Sequence, residues 1–584
     1  MIASGAVKAS EERRAMSLPV AARTTNPEEN CAMPQMNGGK ALIEALHAHD
    51  VDTVFGVLGS TLFTPYDALC DRPDIRLITP RGEDGAVHMA DAYARVTGKV
   101  GVAMVTVGAG AAASLSAMGE AYAESWPLLN IVTQVPTPYL DQDKGVYHES
   151  PRQLEMFKSV SGWTHRVTHA AEIPGAIQEA FHRMRSGRPR PAVLEIPADI
   201  LNATDDITIL PPSTPTAPTA DAAQIAQAAE LLAAAKKPLL WVGGGGVKAG
   251  IGPELQELAE LLQAPILATN GSKGIVREDQ PLMLGNILTM SSTIEERVLE
   301  TSDVMLAIGT RFSERATRTR RKDAESDVTG RSAKGWTIRM PKTLIHIDID
   351  TGEFGKNYTP SLAIHSDARD ALKKLLAALR ARKMPPRPSR EAEMLGLKQE
   401  MRKELQERVP DELKLIDSIR SVLPRDAIVS AQSIMGHWAR YALEMYQPSS
   451  FRFANPFGSM GFAFHAAIGA KIACPERPVV AFCGDGGFMF GCGEMATIAH
   501  YKLNMPVVVF NNGGYKILNN TQKRRFGRTI GTELTNPDFV KFGESFGFRS
   551  LRVGTQELAP ALKEALAANQ PTLIEVPIEF KPYR

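Results

Sequence analysis

Short apolar runs without polar alternation recur along the first third of the chain, at residues 54–57, 75–78, 100–107, 128–132 and 192–196. Between them the apolar positions return at helical spacing. Runs of this kind belong to strands covered on both faces, so the segment predicts βαβ units around a parallel sheet. The pattern repeats twice. A second block has a helix at 222–235, strands at 239–242, 304–308 and 344–349, and a closing helix at 371–381; a third runs from 413 to the end. Two Pro-rich breaks, ILPPSTPTAPTA (209–220) and RKMPPRPSRE (382–391), separate the blocks.

The expected organisation is therefore α/β, with three doubly wound parallel-sheet domains at 35–201, 221–382 and 411–584. Linkers are expected at 202–220 and 383–410. A flexible N-terminal arm is expected over 1–34, which lacks apolar periodicity and a signal-peptide core.

Composition narrows the class. The 584 residues are enough for roughly three or four domains. Lys+Arg 66 against Asp+Glu 65 leaves a charge of +1, which argues against a basic nucleic-acid-binding surface. No apolar run approaches the roughly 20 residues of a membrane span. The cysteines (Cys31, Cys70, Cys474, Cys483, Cys492) are scattered without metal-ligand spacing, as in a protein of the reducing cytoplasm. A large soluble α/β enzyme is the expectation.

The most informative stretch is VVAFCGDGGFMFGCGEMATIAHYKLNMPVVVFNNGGY, residues 479–515. Residues 479–482 read as a buried strand, Gly484-Asp485-Gly486-Gly487 as a tight turn and 489–500 as a helix. A second strand at 506–510 ends in Asn511-Asn512-Gly513-Gly514. In a parallel sheet both turns fall at the carboxyl edge, where such sheets bind ligands. Asp485 and Asn512 (512 − 485 = 27 positions apart) would face each other there. Glycines let backbone N–H groups approach a diphosphate at a helix N-terminus. A carboxylate, an amide oxygen and a carbonyl suit Mg²⁺. Either turn alone reads as an ordinary turn; at this spacing, with a helix between, the pair points to a metal-anchored diphosphate.

GDG followed after about 25 residues by NN resembles the binding motif of thiamine diphosphate enzymes. The resemblance implies that Asp485, Asn512 and the Gly514 carbonyl hold Mg²⁺, with Gly484, Gly486, Gly487 and Tyr515 beside the cofactor. LITPRGEDGAVHMADAYARVTGKV resembles the R-H-E-x-x-A-x-x-M-A-x-x-Y-A-R stretch of the acetolactate synthase branch, although Gly82 replaces the histidine. There the glutamate, Glu83 here, contacts N1′ of the aminopyrimidine, and the shared proton activates the cofactor. As an arbitrary glutamate it would read as a helix cap. FGSMGF places Gly458 and Met460 where the family props the cofactor in its bent form; a Met filling a core gap is the plainer reading. AQSIMGHWARY makes Gly436 and His437 diphosphate candidates, and VLGS places Gly59 and Ser60 by the thiazolium.

TVGAGAAASLSAMG resembles the TSGPG segment, with Ala109 in place of proline. QVPTPYLDQDKGVYHES brings Gln134 and His148 toward substrate, though His148 reads equally as a loop histidine.

LLWVGGGGVKAG, LAIGTRFSER and HIDIDTGEFGKN resemble the middle domain that binds FAD in acetolactate synthases. The glycine run misses the dinucleotide fingerprint at Lys248, and LGNILTM (284–290) stands where the family has Met-His-Gly. FAD or another adenine nucleotide is thus an open alternative. A basic insertion, RTRRKDAESDVTGRSAKG (318–335), reads as a solvated loop or a clasp for a nucleotide or coenzyme A phosphate. Thr521 stands where acetolactate synthases carry a tryptophan, and Lys516 replaces a small residue, which implies a roomier pocket.

The resemblance implies a thiamine diphosphate- and Mg²⁺-dependent lyase or carboligase. It would decarboxylate a 2-oxo acid and pass the activated aldehyde to a carbonyl acceptor. A homodimer or homotetramer is implied, each site shared between subunits. A 2-hydroxyacyl-CoA lyase and an inert cofactor-binding regulatory paralogue are the alternatives.

Overall fold

The computed structural model describes residues 35–285, 295–314, 316–317, 338–454 and 457–579. The expected arm at 1–34, the basic insertion and most of LGNILTM lie outside the described residues.

Three six-stranded parallel sheets carry the architecture. The first domain contains β1 (Gln35–Asn37), β2 (Thr53–Gly56), β3 (Arg76–Ile78), β4 (Gly101–Val105), β5 (Leu128–Gln134), β6 (Trp163–Arg166), β7 (Ala192–Pro197) and β8 (Thr204–Asp206). Its sheet runs β3-β2-β4-β5-β7-β6. The middle domain contains β9 (Pro238–Val242), β10 (Ile266–Ala268), β11 (Met283–Gly285), β12 (Val304–Ile308), β13 (Thr343–Asp348) and β14 (Leu362–His365), in the order β11-β10-β9-β12-β13-β14. The third contains β15 (Ile428–Ala431), β16 (Phe451–Phe453), β17 (Val479–Gly484), β18 (Pro506–Asn511), β19 (Arg549–Arg552) and β20 (Thr572–Pro577), in the order β16-β15-β17-β18-β20-β19.

The first and third sheets therefore share one topology, while the middle sheet has the dinucleotide-binding order. Most strands legible in sequence are fully buried, as every residue of β4, β5, β7, β9 and β12 is, although the edge strand β3, read at 75–78, is not. The sequence reading passes over β6, whose residues are all half-buried at a sheet edge, and β10, which has only three residues.

Both expected linkers carry structure. β8 pairs antiparallel with β1, matching Gln35 with Asp206, so the first linker starts as a tie back onto the first domain. Residues 383–410, expected to be a linker, contain an 18-residue helix, Glu391–Arg408. This corrects the reading. The Pro cluster ends at Pro388, and EAEMLGLKQEMRKELQER is built of strong helix formers. Met394, Leu397 and Met401, on one helical face, bury in the middle-domain core.

The first and third domains pack helix against helix, Glu83–Thr97 on Phe462–Ala473, within one apolar cluster. Gly469 permits the approach: a Cβ there would lie 2.3 Å from the Met89 carbonyl oxygen. The contact sets the helix headed by Glu83 beside the segment that carries Met460.

Candidate active site

Asp485, Asn511 and Asn512 stand at the carboxyl ends of β17 and β18, neighbours in parallel register with Gly484 opposite Phe510. Asp485 is 1% exposed. Its Oδ2 accepts from the Gly514 N–H at 2.8 Å and from Asn536 Nδ2 at 2.7 Å. Asn536 Nδ2 also donates to Asn511 Oδ1 at 2.9 Å, which locks the two strand ends together. Oδ1 of Asp485 faces Asn512. The Asn512 amide oxygen lies 3.0 Å from the Gly514 carbonyl oxygen and 3.2 Å from Asp485 Oδ1.

With its nitrogen inward, that amide would donate to both oxygens. With its oxygen inward, that oxygen stands from each of the other two at the separation of neighbouring ligands on an octahedral Mg²⁺, about 3 Å for Mg–O distances of about 2.1 Å. The donor set fits a hard cation. Of the two residues that brace it, Asn511 enters the sequence reading only as part of the NN motif and Asn536 not at all; Asn536 lies 51 positions from Asp485, beyond any local pattern.

The glycine stretch differs from expectation. Residues 484–487 do not form a tight turn: Asp485–Met489 is already helical, and a 3₁₀ turn at Cys492–Glu494 separates it from Met495–His500. Gly484, Gly486 and Gly487 all have φ outside the left-handed region. Proximity explains Gly486, where a Cβ would meet the Tyr515 ring at 2.6 Å. Gly514 has φ +144°, and a Cβ there would lie 2.2 Å from the Thr532 carbonyl oxygen. Gly487 opens toward Met460, whose Cε lies 3.9 Å from the built Cβ position.

Met460 is 38% exposed. Its loop is held by one face of the helix Leu115–Glu124 at Ser116, Gly119 and Glu120. Glu120 Oε2 accepts from the N–H groups of Gly458 (2.9 Å) and Ser459 (3.3 Å). Ser459 Oγ donates to the Ser116 carbonyl at 2.9 Å, and Gly119 has no Cβ because the Phe457 ring would stand 2.4 Å from it. Gly458 bends the loop at φ +87°. Burial pushes the Glu120 carboxyl up to about 7 against the pull of Arg95.

Glu83 opens the helix Glu83–Thr97 behind Gly82, with no side-chain cap. The backbone N–H groups of Arg81 and Gly82 are taken by Glu494 Oε1 from the third domain, at 2.8 and 3.0 Å. These two N–H groups precede the first turn of the helix; burial raises the Glu494 carboxyl, opposed by hydrogen bonds from Thr497 and this backbone. The half-buried Glu83 carboxylate lies against Gly110, whose Cβ would be 3.0 Å from Oε1.

Gly59 follows β2, and a Cβ there would strike Thr106 Oγ1 at 2.4 Å; exposed Ser60 opens the next 3₁₀ turn. His148 sits at φ +66°, its ring 3.9 Å from that of exposed Tyr147, and its carbonyl oxygen fills the space beside Gly108.

Two expectations change. Gln134 does not reach an open site: it is 1% exposed, its Nε2 donates to Glu195 Oε1 and its oxygen accepts from Val135 N. Gly436 and His437 lie on the helix Ser433–Ala442 against Phe453, 2.7 Å from the Gly436 Cβ position and 5.2 Å from the His437 ring, so packing accounts for both.

At the switch point of the middle sheet, between the ends of β9 and β12, lies a cavity of about 290 Å³. Gly243 and Gly245 there interlock with Gly309, at 2.2 and 2.8 Å from their Cβ positions; Gly244 has 3.4 Å or more of clearance. Arg188, Arg311 and Lys248 supply positive charge, and Asp348 closes the end of β13. Burial lowers Lys248 to about 7, opposed by Glu124. A phosphate-bearing nucleotide fits this wall.

Three family models match the chain in order. Residues 36–156 match "Thiamine pyrophosphate enzyme, N-terminal TPP binding domain", 225–375 the central domain and 433–576 the C-terminal TPP binding domain. The chain belongs to the thiamine pyrophosphate enzyme family. It is 32% identical to a probable acetolactate synthase large subunit of Methanocaldococcus jannaschii, covering 93% of this chain and 92% of that protein. The acetolactate synthase large subunit of Corynebacterium glutamicum is 32% identical over 95% of this chain and 89% of its own. A probable 2-ketoarginine decarboxylase of Pseudomonas aeruginosa is also 32% identical, over 93% and 94%. This chain is thus a thiamine diphosphate-dependent enzyme that forms or cleaves carbon–carbon bonds. Among the described residues no helix is long and apolar enough to cross a membrane.

Proposed function

We propose that this enzyme decarboxylates a 2-oxo acid and transfers the activated aldehyde to a carbonyl acceptor, with a pocket roomier than that of acetolactate synthases. The observation that carries the reading is the convergence of the Asp485 carboxyl, the Asn512 amide and the Gly514 carbonyl at the carboxyl edge of the third sheet. These residues would hold Mg²⁺, with Gly486 and Tyr515 walling the diphosphate. Met460, on its braced loop, would support the bent cofactor. Thiamine diphosphate supplies the stabilised carbanion chemistry. Glu83 would share a proton with the aminopyrimidine N1′, and His148 would move protons at the substrate.

Support for the roomier pocket is Thr521, whose short side chain donates back to the Ile517 carbonyl at 2.8 Å, leaving Ile517 and Leu518 exposed. Exposed large apolar side chains stand in both half-sites, Leu58 and Phe63 in the first domain and Phe457 and Phe490 in the third. They favour a homodimer or homotetramer in which partners cover them. The middle cavity is proposed to take FAD or another adenine nucleotide, which an absorption spectrum of the purified protein and an acid extract test.

The holoenzyme, incubated with a panel of 2-oxo acids and aldehyde or ketone acceptors, should release CO₂ and yield 2-hydroxyketones identified by mass spectrometry. Turnover only of 2-hydroxyacyl-CoA thioesters, or of nothing on the panel, would overturn the proposal.

A further inference from the structure

Below the middle-domain cavity, where all three domains meet, lies a second and smaller cavity of about 40 Å³. It shares Glu124, Asn270 and Gly271 with the larger one, so the two adjoin. Its charged walls come from different domains: Arg95 from the first, Lys273 from the middle and Arg452 from the third. Two of these cations are neutralised in place. Arg95 pairs with Asp91 at 2.6 Å and Lys273 with Glu278 at 2.6 Å.

Arg452 differs. It is 2% exposed, its Nη2 donates to the Ser449 carbonyl at 2.9 Å, and Nε and Nη1 have no hydrogen-bond partner. Among the described residues no carboxylate lies within ion-pair distance of it. Burial and the nearby Arg95 lower its guanidinium to about 9, opposed from a distance by Asp91, which already pairs with Arg95. A buried guanidinium presents five donors and stays charged at neutral pH, so leaving it uncompensated is costly. Glu124, on the same wall, is drawn by Arg95, Lys248 and Arg311, with no direct bond to Arg452. The cavity exceeds several-fold the 10–15 Å³ that one water needs, and suits a compact group of four or five heavy atoms.

We propose that this junction is an oxyanion-binding site in which Arg452 Nε and Nη1 grip a phosphate-like group across from Arg95. The planar fork of a guanidinium matches such a group in two-point fashion. The oxyanion could be a free ion or the phosphate of a nucleotide lying in the adjoining cavity. Occupied, the site ties the three domains together through one charge.

The test uses the holoenzyme with thiamine diphosphate and Mg²⁺ at saturation, so that the diphosphate site is filled. Thermal unfolding is followed against inorganic phosphate, ADP, adenosine and chloride at matched ionic strength. A saturable rise in midpoint with phosphate, absent with chloride and lost in Arg452→Met, supports the site. A rise with ADP but with neither phosphate nor adenosine assigns the oxyanion to a nucleotide, provided Arg452→Met abolishes it. An equal response in wild type and Arg452→Met, or no response to any of the anions, overturns the proposal. Arg452→Met replaces a buried charge by an apolar chain of similar length and should fold. Should it not fold, a selenate-soaked crystal of the wild-type holoenzyme decides: anomalous density beside Arg452 supports the site, and its absence there refutes it.

Discussion

Asp485→Asn is the sharpest probe of the proposed metal site, because it keeps the shape and removes the charge. Asp485 serves two sides at once: Oδ1 faces the Asn512 amide, while Oδ2 accepts from Gly514 N and Asn536 Nδ2 at 2.8 and 2.7 Å. An asparagine has one oxygen. If that oxygen stays toward the metal position, its NH₂ meets two buried donors; if it turns, the cation meets NH₂. Hydrogen bonds to a charged acceptor are worth about 1.5–3 kcal/mol each, so either choice forfeits ~3 kcal/mol or more. At about 1.4 kcal/mol per tenfold, cofactor affinity should fall at least about 100-fold. Isothermal titration of apoprotein with thiamine diphosphate at saturating Mg²⁺ reads this directly, with circular dichroism to confirm folding. An affinity within threefold of wild type would refute the reasoning.

Gly486→Ala should crowd the Tyr515 ring, 2.6 Å from the new Cβ, and weaken cofactor binding roughly tenfold by about 1–3 kcal/mol of overpacking; unaltered affinity would contradict this. Gly119→Ala should push Phe457 and its loop away from the helix Leu115–Glu124, lowering kcat more than tenfold while the folded far-ultraviolet spectrum is kept; a normal kcat would show that the loop is not held there. Glu120 makes stability pH-dependent. Its folded pKa, about 7, lies above the 4.5 of a free glutamate, so its contribution is whole below pH 4.5 and is lost as pH rises through 7. The ceiling is roughly 3 kcal/mol at about 1.4 kcal/mol per pKa unit. Glu120→Gln should therefore gain stability relative to wild type between pH 5.5 and 8 in denaturant titrations, and a constant difference would contradict the assignment.

What the sequence disclosed follows from how locally each feature is encoded. Strands buried on both faces announce themselves as apolar runs, whereas the half-exposed edge strand Trp163–Arg166 has no such contrast. Asp485 and Asn512 were legible because each ends a buried strand in neighbouring βα units. The form of the glycine stretch was not, since glycine tolerates helix and turn alike and only the Tyr515 ring, 29 positions on, requires Gly486. A Pro cluster masked the helix Glu391–Arg408. Glu494 and Glu120 act on backbone groups 413 and 338 positions away. No local pattern encodes such contacts; they arise where the helices Glu83–Thr97 and Phe462–Ala473 bring the two domains together. Gln134 illustrates the converse, a residue at the end of β5 whose amide turns inward to Glu195.

Glu83 is proposed to activate a cofactor anchored by Asp485, Asn512 and Gly514. Proton exchange with deuterium oxide at C2 of the bound thiamine diphosphate, followed by rapid quench and proton NMR in wild type and Glu83→Gln, tests it most directly. Cofactor binding should stay within a few-fold in both proteins, and exchange should slow 100-fold or more in the variant. Equal exchange rates would contradict it.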